Sequence, residues 1–239
     1  MFYNLEIKFT LGLIAVSVII SLGQAYPSTD FDDNSPAGVD KDTLLKELMD
    51  FVNLLPMDEV IEIIAKYVTE DIKVREALDF IETSEFDDLM RTLESLNEYQ
   101  VYVEFLKKVG LPIEESVKQK IQHALSIKDN PSKIESKVQV GDGMEGMFKY
   151  LLNVLPLDKI DALYEEKMKT SKVYGDFITK IMSKELDKIV NDLIANDTYK
   201  MFITKTKEKG LEFEALALFD ARMIGIKSEY DRYLHLNAM

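Results

Sequence analysis

The chain has 239 residues, 46% of them hydrophobic and 30% charged, which is enough apolar material for a sizeable core and enough charge for solubility. Only 10 Gly and 6 Pro point to helices rather than a many-turned sandwich, and the absence of cysteine excludes disulfides, thiolate metal sites and a cysteine nucleophile. A net charge of -14 disfavours nucleic acid as a partner and is read as a solvated surface, while two histidines are too few to build a zinc site of the usual kind.

Residues 1–25 read as a signal peptide. Lys8 precedes an uncharged run from Phe9 to Leu22, and Gly23-Gln24-Ala25 offers small residues for cleavage before Tyr26. The run is shorter than a membrane anchor needs, so no stable membrane insertion is expected after cleavage. Residues 26–41 are turn-forming and acidic and read as a disordered leader. The spacing of Asp30, Asp32 and Asn34 hints at a calcium loop, but Ser35 stands where the sharp turn needs Gly and Lys41 where the closing Glu belongs.

From residue 42 the sequence is written twice, at a shift of 100 positions without a gap. Asn53-Leu-Leu-Pro-Met-Asp58 returns as Asn153-Val-Leu-Pro-Leu-Asp158, Glu85-Phe-Asp87 as Glu185-Leu-Asp187, and Tyr99, Lys107, Gly110 and Leu111 as Tyr199, Lys207, Gly210 and Leu211. The expected units are repeat 1 over 42–127, a linker over 128–143, repeat 2 over 144–230 and a tail over 231–239.

In repeat 1, Asp42-Thr43 is read as capping a helix from Leu44 to Leu55 that Pro56 ends, and Asp58 as capping a second helix with Val60, Ile61, Ile64 and Val68 on its apolar face. Val74, Leu78 and Ile81 mark a third helix. Ser84 with Asp87 resembles a capping box for a fourth, whose stripe is Phe86, Leu89, Met90, Leu93 and Leu96. Asn97 is read as capping a fifth that carries Tyr99, Tyr102, Val103, Phe105, Leu106 and Val109, with Gly110 as its left-handed C-terminal cap. Ser116 to Ile127 makes a sixth. In the second copy the same faces return as Phe177, Ile181, Leu186, Ile189, Leu193, Phe202 and Ile203.

Gly141-Asp-Gly-Met-Glu-Gly146 has the glycine spacing of a dinucleotide loop, but it lacks the βαβ context and would set Asp142 and Glu145 beside a pyrophosphate, so it reads as inter-repeat linker. Asn196-Asp-Thr198 is a glycosylation sequon that coincides with a helix cap taken as equivalent to the one at Asn97. No serine stands in a nucleophile elbow, and carboxylates such as Glu82, Glu85, Asp87, Asp88, Glu165 and Glu166 read as solvated helix faces. No catalytic constellation and no cofactor are therefore expected.

The signal peptide followed by paired Leu54-Leu-Pro-Met-Asp58 and Val154-Leu-Pro-Leu-Asp158 motifs, supported by Phe80 to Met90 and Glu104 to Leu111, resembles the insect allergen-related repeat family over about residues 42–230. That family includes a cockroach gut allergen, microvilli-associated proteins of mosquito and sand fly midgut, and nitrile-specifier proteins of caterpillars. The resemblance implies an all-α capsule of two repeats around an apolar cavity that binds fatty acids or phospholipids, made in the midgut and released to its lumen or microvillar surface. It supplies no catalytic residues. The expected cavity-lining residues are Ile64, Ile81, Phe86, Leu89, Leu93, Val103 and Leu106 in the first copy and Ile181, Leu186, Ile189, Leu193 and Phe202 in the second. Lys180 and Lys205 replace Phe80 and Phe105, which puts a symmetric cavity wall in doubt. A nitrile-specifier-like detoxification factor and a structural protein of the microvillar surface are the alternative functions.

Overall fold

The computed structural model describes residues 41–111 and 139–227. The expected signal peptide, sixth helix and tail lie outside them, with His123 and His235, as do the expected leader and the rejected calcium loop except for Lys41, which is already helical. The described residues are helical throughout, with short connections. In the first copy the helices are α1 (Lys41–Val52), α2 (Met57–Glu70), α3 (Ile72–Ile81), α4 (Ser84–Glu94) and α5 (Asn97–Lys108). In the second they are α6 (Gly143–Val154), α7 (Leu157–Thr170), α8 (Lys172–Ile181), α9 (Lys184–Ala195), α10 (Asp197–Glu208) and α11 (Phe213–Met223).

From α2 to α5, helix starts recur 100 residues later in α7 to α10, and the punctuation recurs with them. Asp71 and Ser171 cap α3 and α8, each accepting from backbone N–H groups of the first turn, and Thr83 and Ser183 do the same for α4 and α9. Gly110 and Gly210 take φ 95° and 84°. Each closes a Schellman motif: Leu111 N donates to Leu106 O at 3.1 Å and Leu211 N to Thr206 O at 3.0 Å.

Several helix ends differ from the sequence reading. α1 stops at Val52 rather than Leu55, because Leu54 N and Leu55 N donate to carbonyls three residues back and tighten the chain into a turn before Pro56. Pro56 itself occupies the N-cap position of α2, so Asp58 lies inside the first turn, where it faces the positive helix end without capping it. The α4 cap is Thr83, one residue before Ser84. In α5 the N-cap is Leu96, with no side-chain bond, and Asn97 is already helical. At an offset of 100, Asn196 therefore answers to Leu96 and not to Asn97. Finally, α6 opens at Gly143, inside the span read as linker, and Gly146 is buried in it. A Cβ on Gly146 would strike the Gly141 carbonyl oxygen and lie 3.0 Å from Tyr67 Oη, so the glycine is there for close approach rather than flexibility.

Tertiary contacts cross between the copies in reciprocal pairs. α1 packs on α7 and α8, and α6 packs on α2 and α3; α5 lies along α9, and α4 along α10. The first helix of the first copy thus packs on the second, the first helix of the second lies between α2 and α3 of the other copy and α11 of its own, and neither copy buries its apolar faces alone. One continuous core results, running from Leu44 and Phe51 through Phe86, Leu106, Ile160 and Leu193 to Leu218. Burial by this exchange also rotates α2. Its innermost residues are Val60, Ile63 and Tyr67, with Ile64 and Val68 at the flanks, because Tyr67 faces Tyr150 of α6 at 6.1 Å between ring centroids.

Candidate functional site

The interior between the copies brings the expected lining residues into one apolar cluster. Phe86, Leu89 and Leu93 come from α4 and Phe202 from the facing α10; Leu106 comes from α5 and Leu186 and Leu193 from the facing α9. These seven, with Ile81 and Ile181, are buried, while Ile64, Val103 and Ile189 are half-buried and packed against the same core. Helical spacing explains their selection: on each helix they recur three or four residues apart and face one side.

Aromatic contacts lie within this interior. Phe80 meets Phe86 edge-on at 5.6 Å, and Phe202 stacks on Phe213 at 5.9 Å. Lys180 and Lys205 are exposed, whereas Phe80 and Phe105 are buried. A lysine of the second copy nevertheless covers Phe80, since Lys209 Nζ sits 5.4 Å above its ring. The two lysine replacements thus remain outside the apolar interior.

Polar groups that the sequence reading passed over sit at the seams. Lys167 of α7 is 5% exposed; it is paired with Glu47 and lies 2.6 Å from Asp50 Oδ2, both on α1. Burial alone would raise the Glu47 carboxyl and lower the Lys167 ammonium. Their mutual bonding, helped by the Ser171 hydroxyl at Glu47 and by Asp50 at Lys167, reverses both directions. Asp71 not only caps α3 but accepts from Gly143 N at 3.3 Å, tying α3 to α6. Arg222 reaches Asp161 Oδ1 at 2.6 Å, and Lys227 reaches its other oxygen at 3.1 Å. A lysine spaced seven residues after the buried Ile160, at the place held by an aromatic in the other copy, was the signal for Lys167 in the sequence.

Tyrosines carry the remaining polarity. Tyr174 Oη donates to Ile224 O at 2.8 Å, and burial pushes its phenol far above the ordinary value. Burial, with Tyr150 and Asp71 nearby, raises Tyr67 to about 12, and burial with Glu94 and Tyr199 nearby raises Tyr99 to about 12. Asn196 is half-buried and its Oδ1 accepts from Thr198 N at 2.9 Å and Tyr199 N at 3.4 Å, so it serves as the cap of α10. Glu82, Glu85, Asp88, Glu165 and Glu166 are exposed on helix faces, with Asp87 partly covered. Among the described residues no cluster of three or more His, Cys, Asp or Glu could hold a metal ion, and no helix is long and apolar enough to cross a membrane. The interior is held together by dispersion and apolar burial, with few directed polar groups.

A chain whose described residues are helical, with apolar faces that meet both within and between its two halves, belongs to the all-α class. More narrowly, residues 43–217 match the model of the insect allergen related repeat, described with nitrile-specifier detoxification, and the chain belongs to that family. It is also similar to Protein G12 of Anopheles gambiae, with 24% identity over 143 residues, covering 59% of this chain and 67% of that protein.

Proposed function

We propose that this protein is a secreted, non-catalytic binder of acyl lipids in the gut, which takes fatty acids or phospholipids into the interior between its two copies. The observation that supports this reading is the convergence of apolar faces from both copies, α4 with α10 and α5 with α9, on one continuous interior. Helices that meet across a symmetry-like seam can part slightly around a guest without unfolding either copy. An acyl chain gains about 0.8 kcal/mol for each methylene removed from water. Selectivity for chain type would be weak, because the lining offers few polar contacts to read.

Lipid that binds only the folded state stabilises it by mass action. Delipidated protein is expected to melt lower than protein reloaded with a C16 or C18 fatty acid, and a shorter acid to restore less. Leu93→Glu or Leu193→Glu is expected to remove the gain or the fold. A delipidated protein that stays helical and monodisperse, and whose melting ignores every lipid offered, would overturn the reading.

The family's description with nitrile-specifier detoxification favours a second reading, a factor that redirects the products of glucosinolate hydrolysis. Incubation with a glucosinolate and its hydrolase separates the two: diverted nitrile products support this second function, and unchanged products leave lipid binding as the account.

A further inference from the structure

A tyrosine hydroxyl withdrawn from water ordinarily finds a hydrogen-bond partner, because leaving it unpaired forfeits its hydration. Tyr102 is 0% exposed, and its Oη is sealed from solvent without any hydrogen bond. The residue lies on α5, the helix packed along α9 of the other copy, so its side chain belongs to the interior where the copies meet. Packing alone does not explain the hydroxyl. One hundred residues on, the equivalent place is filled by Phe202, whose plain ring stacks on Phe213. A phenylalanine would suffice at 102 if the ring were all that mattered.

The surroundings define what could pair with this hydroxyl. The Tyr99 ring is 6.4 Å away, and burial together with the phenols of Tyr199 and Tyr99 holds the Tyr102 hydroxyl well above its ordinary value of 10.0. It therefore stays protonated and available as a donor. Glu94 acts on the adjoining Tyr99. A guest carboxylate would enter this site desolvated and with an anion nearby, both unfavourable. A neutral carbonyl oxygen has no charge to desolvate or repel, and a hydrogen bond from the phenol offsets its smaller loss of hydration.

We propose that Tyr102 Oη anchors the acyl ligand by donating a hydrogen bond to a neutral carbonyl oxygen, that of a protonated fatty acid or of a fatty acyl ester. This rests on the lipid-binding reading and gives it a polar end: the chain lies among the apolar stripes and the carbonyl is held at α5. Selectivity then separates acyl lipids from plain hydrocarbons of equal length.

The test compares the full chain with Tyr102→Phe, delipidated and then loaded from cyclodextrin with hexadecanoic acid, methyl hexadecanoate or 1-hexadecene. Because the hydroxyl has no partner in the protein, the lipid-free variant should melt no lower than the parent. Uptake of the acid and the ester should weaken about three- to tenfold, the worth of one buried hydrogen bond, while uptake of hexadecene stays unchanged. A loss for the acid alone assigns the site to free fatty acids, and a loss for the ester alone assigns it to acyl esters. If the variant takes up all three as the parent does, or loses all three equally, the anchor is overturned and lipid binding stands. A parent that takes up none of the three overturns both.

Discussion

Lys167 Nζ of α7 lies 2.6 Å from Asp50 Oδ2 of α1, and the corresponding junction of α2 with α6 holds Tyr67 and Tyr150 at 6.1 Å between ring centroids. Positions 67 and 167, and 50 and 150, are equivalent by the offset of 100. The same helix crossing is thus closed by an ion pair at one seam and by two aromatic rings at the other. A long lysine stem and a tyrosine ring both fill apolar space and end in a polar tip, which lets one backbone geometry accept either.

Removing the cation alone should be costly, because Glu47 would remain against the seam without its partner. Lys167→Ala is expected to lose about 2–4 kcal/mol in chemical denaturation. The triple variant Lys167→Tyr with Asp50→Tyr and Glu47→Met, which copies the other seam of Tyr67, Tyr150 and Met147 and leaves no unpaired carboxylate, should recover at least half of that loss. No recovery would mean that the two crossings are not equivalent.

The same cluster sets a pH window. Glu47 is held below its ordinary value of 4.5 in the folded chain, so its contribution is present above that value and is lost as pH falls through the lower folded one. Lys167 is held above 10.5, so its contribution is present below that value and is lost as pH rises through the higher folded one. Denaturation midpoints measured from pH 7 down to 3 should fall less steeply for Lys167→Met than for the parent.

Gly110→Val is expected to destabilise by at least about 1 kcal/mol, since a β-branched residue resists the left-handed conformation at φ 95°. Gly210→Val should also destabilise in the same thermal melt, because the position takes φ 84° and a Cβ there would press on Ala77 Cβ at 3.3 Å. A Gly210→Val variant that melts with the parent would show that the backbone and Ala77 both yield freely.

The capping assignments separate two neighbouring asparagines. Asn196→Ala should lose about 1 kcal/mol, as two backbone N–H groups lose their acceptor. Asn97→Ala should change urea-unfolding stability little, because its exposed side chain lies past the N-cap and Ala is the better helix former. A larger loss at Asn97 would move the start of α5.

Much of this protein is legible in one dimension. The all-helical class, the apolar stripes such as Phe86, Leu89, Met90 and Leu93, and the left-handed glycine at 110 follow from local rules: period, propensity and the steric demand of a single φ. The cap at Thr83 rather than Ser84 was within one residue of the reading, as is usual for helix ends, whose bounds depend on which hydroxyl reaches the first free N–H. Tertiary structure alone decided the rest. Nothing local says that α1 leaves its own copy for α7 and α8, that this exchange turns Tyr67 inward, that it buries Lys167 between Glu47 and Asp50, or that Gly146 is pressed against Gly141. Nor does the pattern reveal that Tyr102 would be sealed without a partner while Tyr174 finds Ile224 O. A stripe of apolar residues specifies that a face must be covered, but dispersion and apolar burial are non-directional, so the identity of the covering helix is fixed only when all the faces compete for one interior.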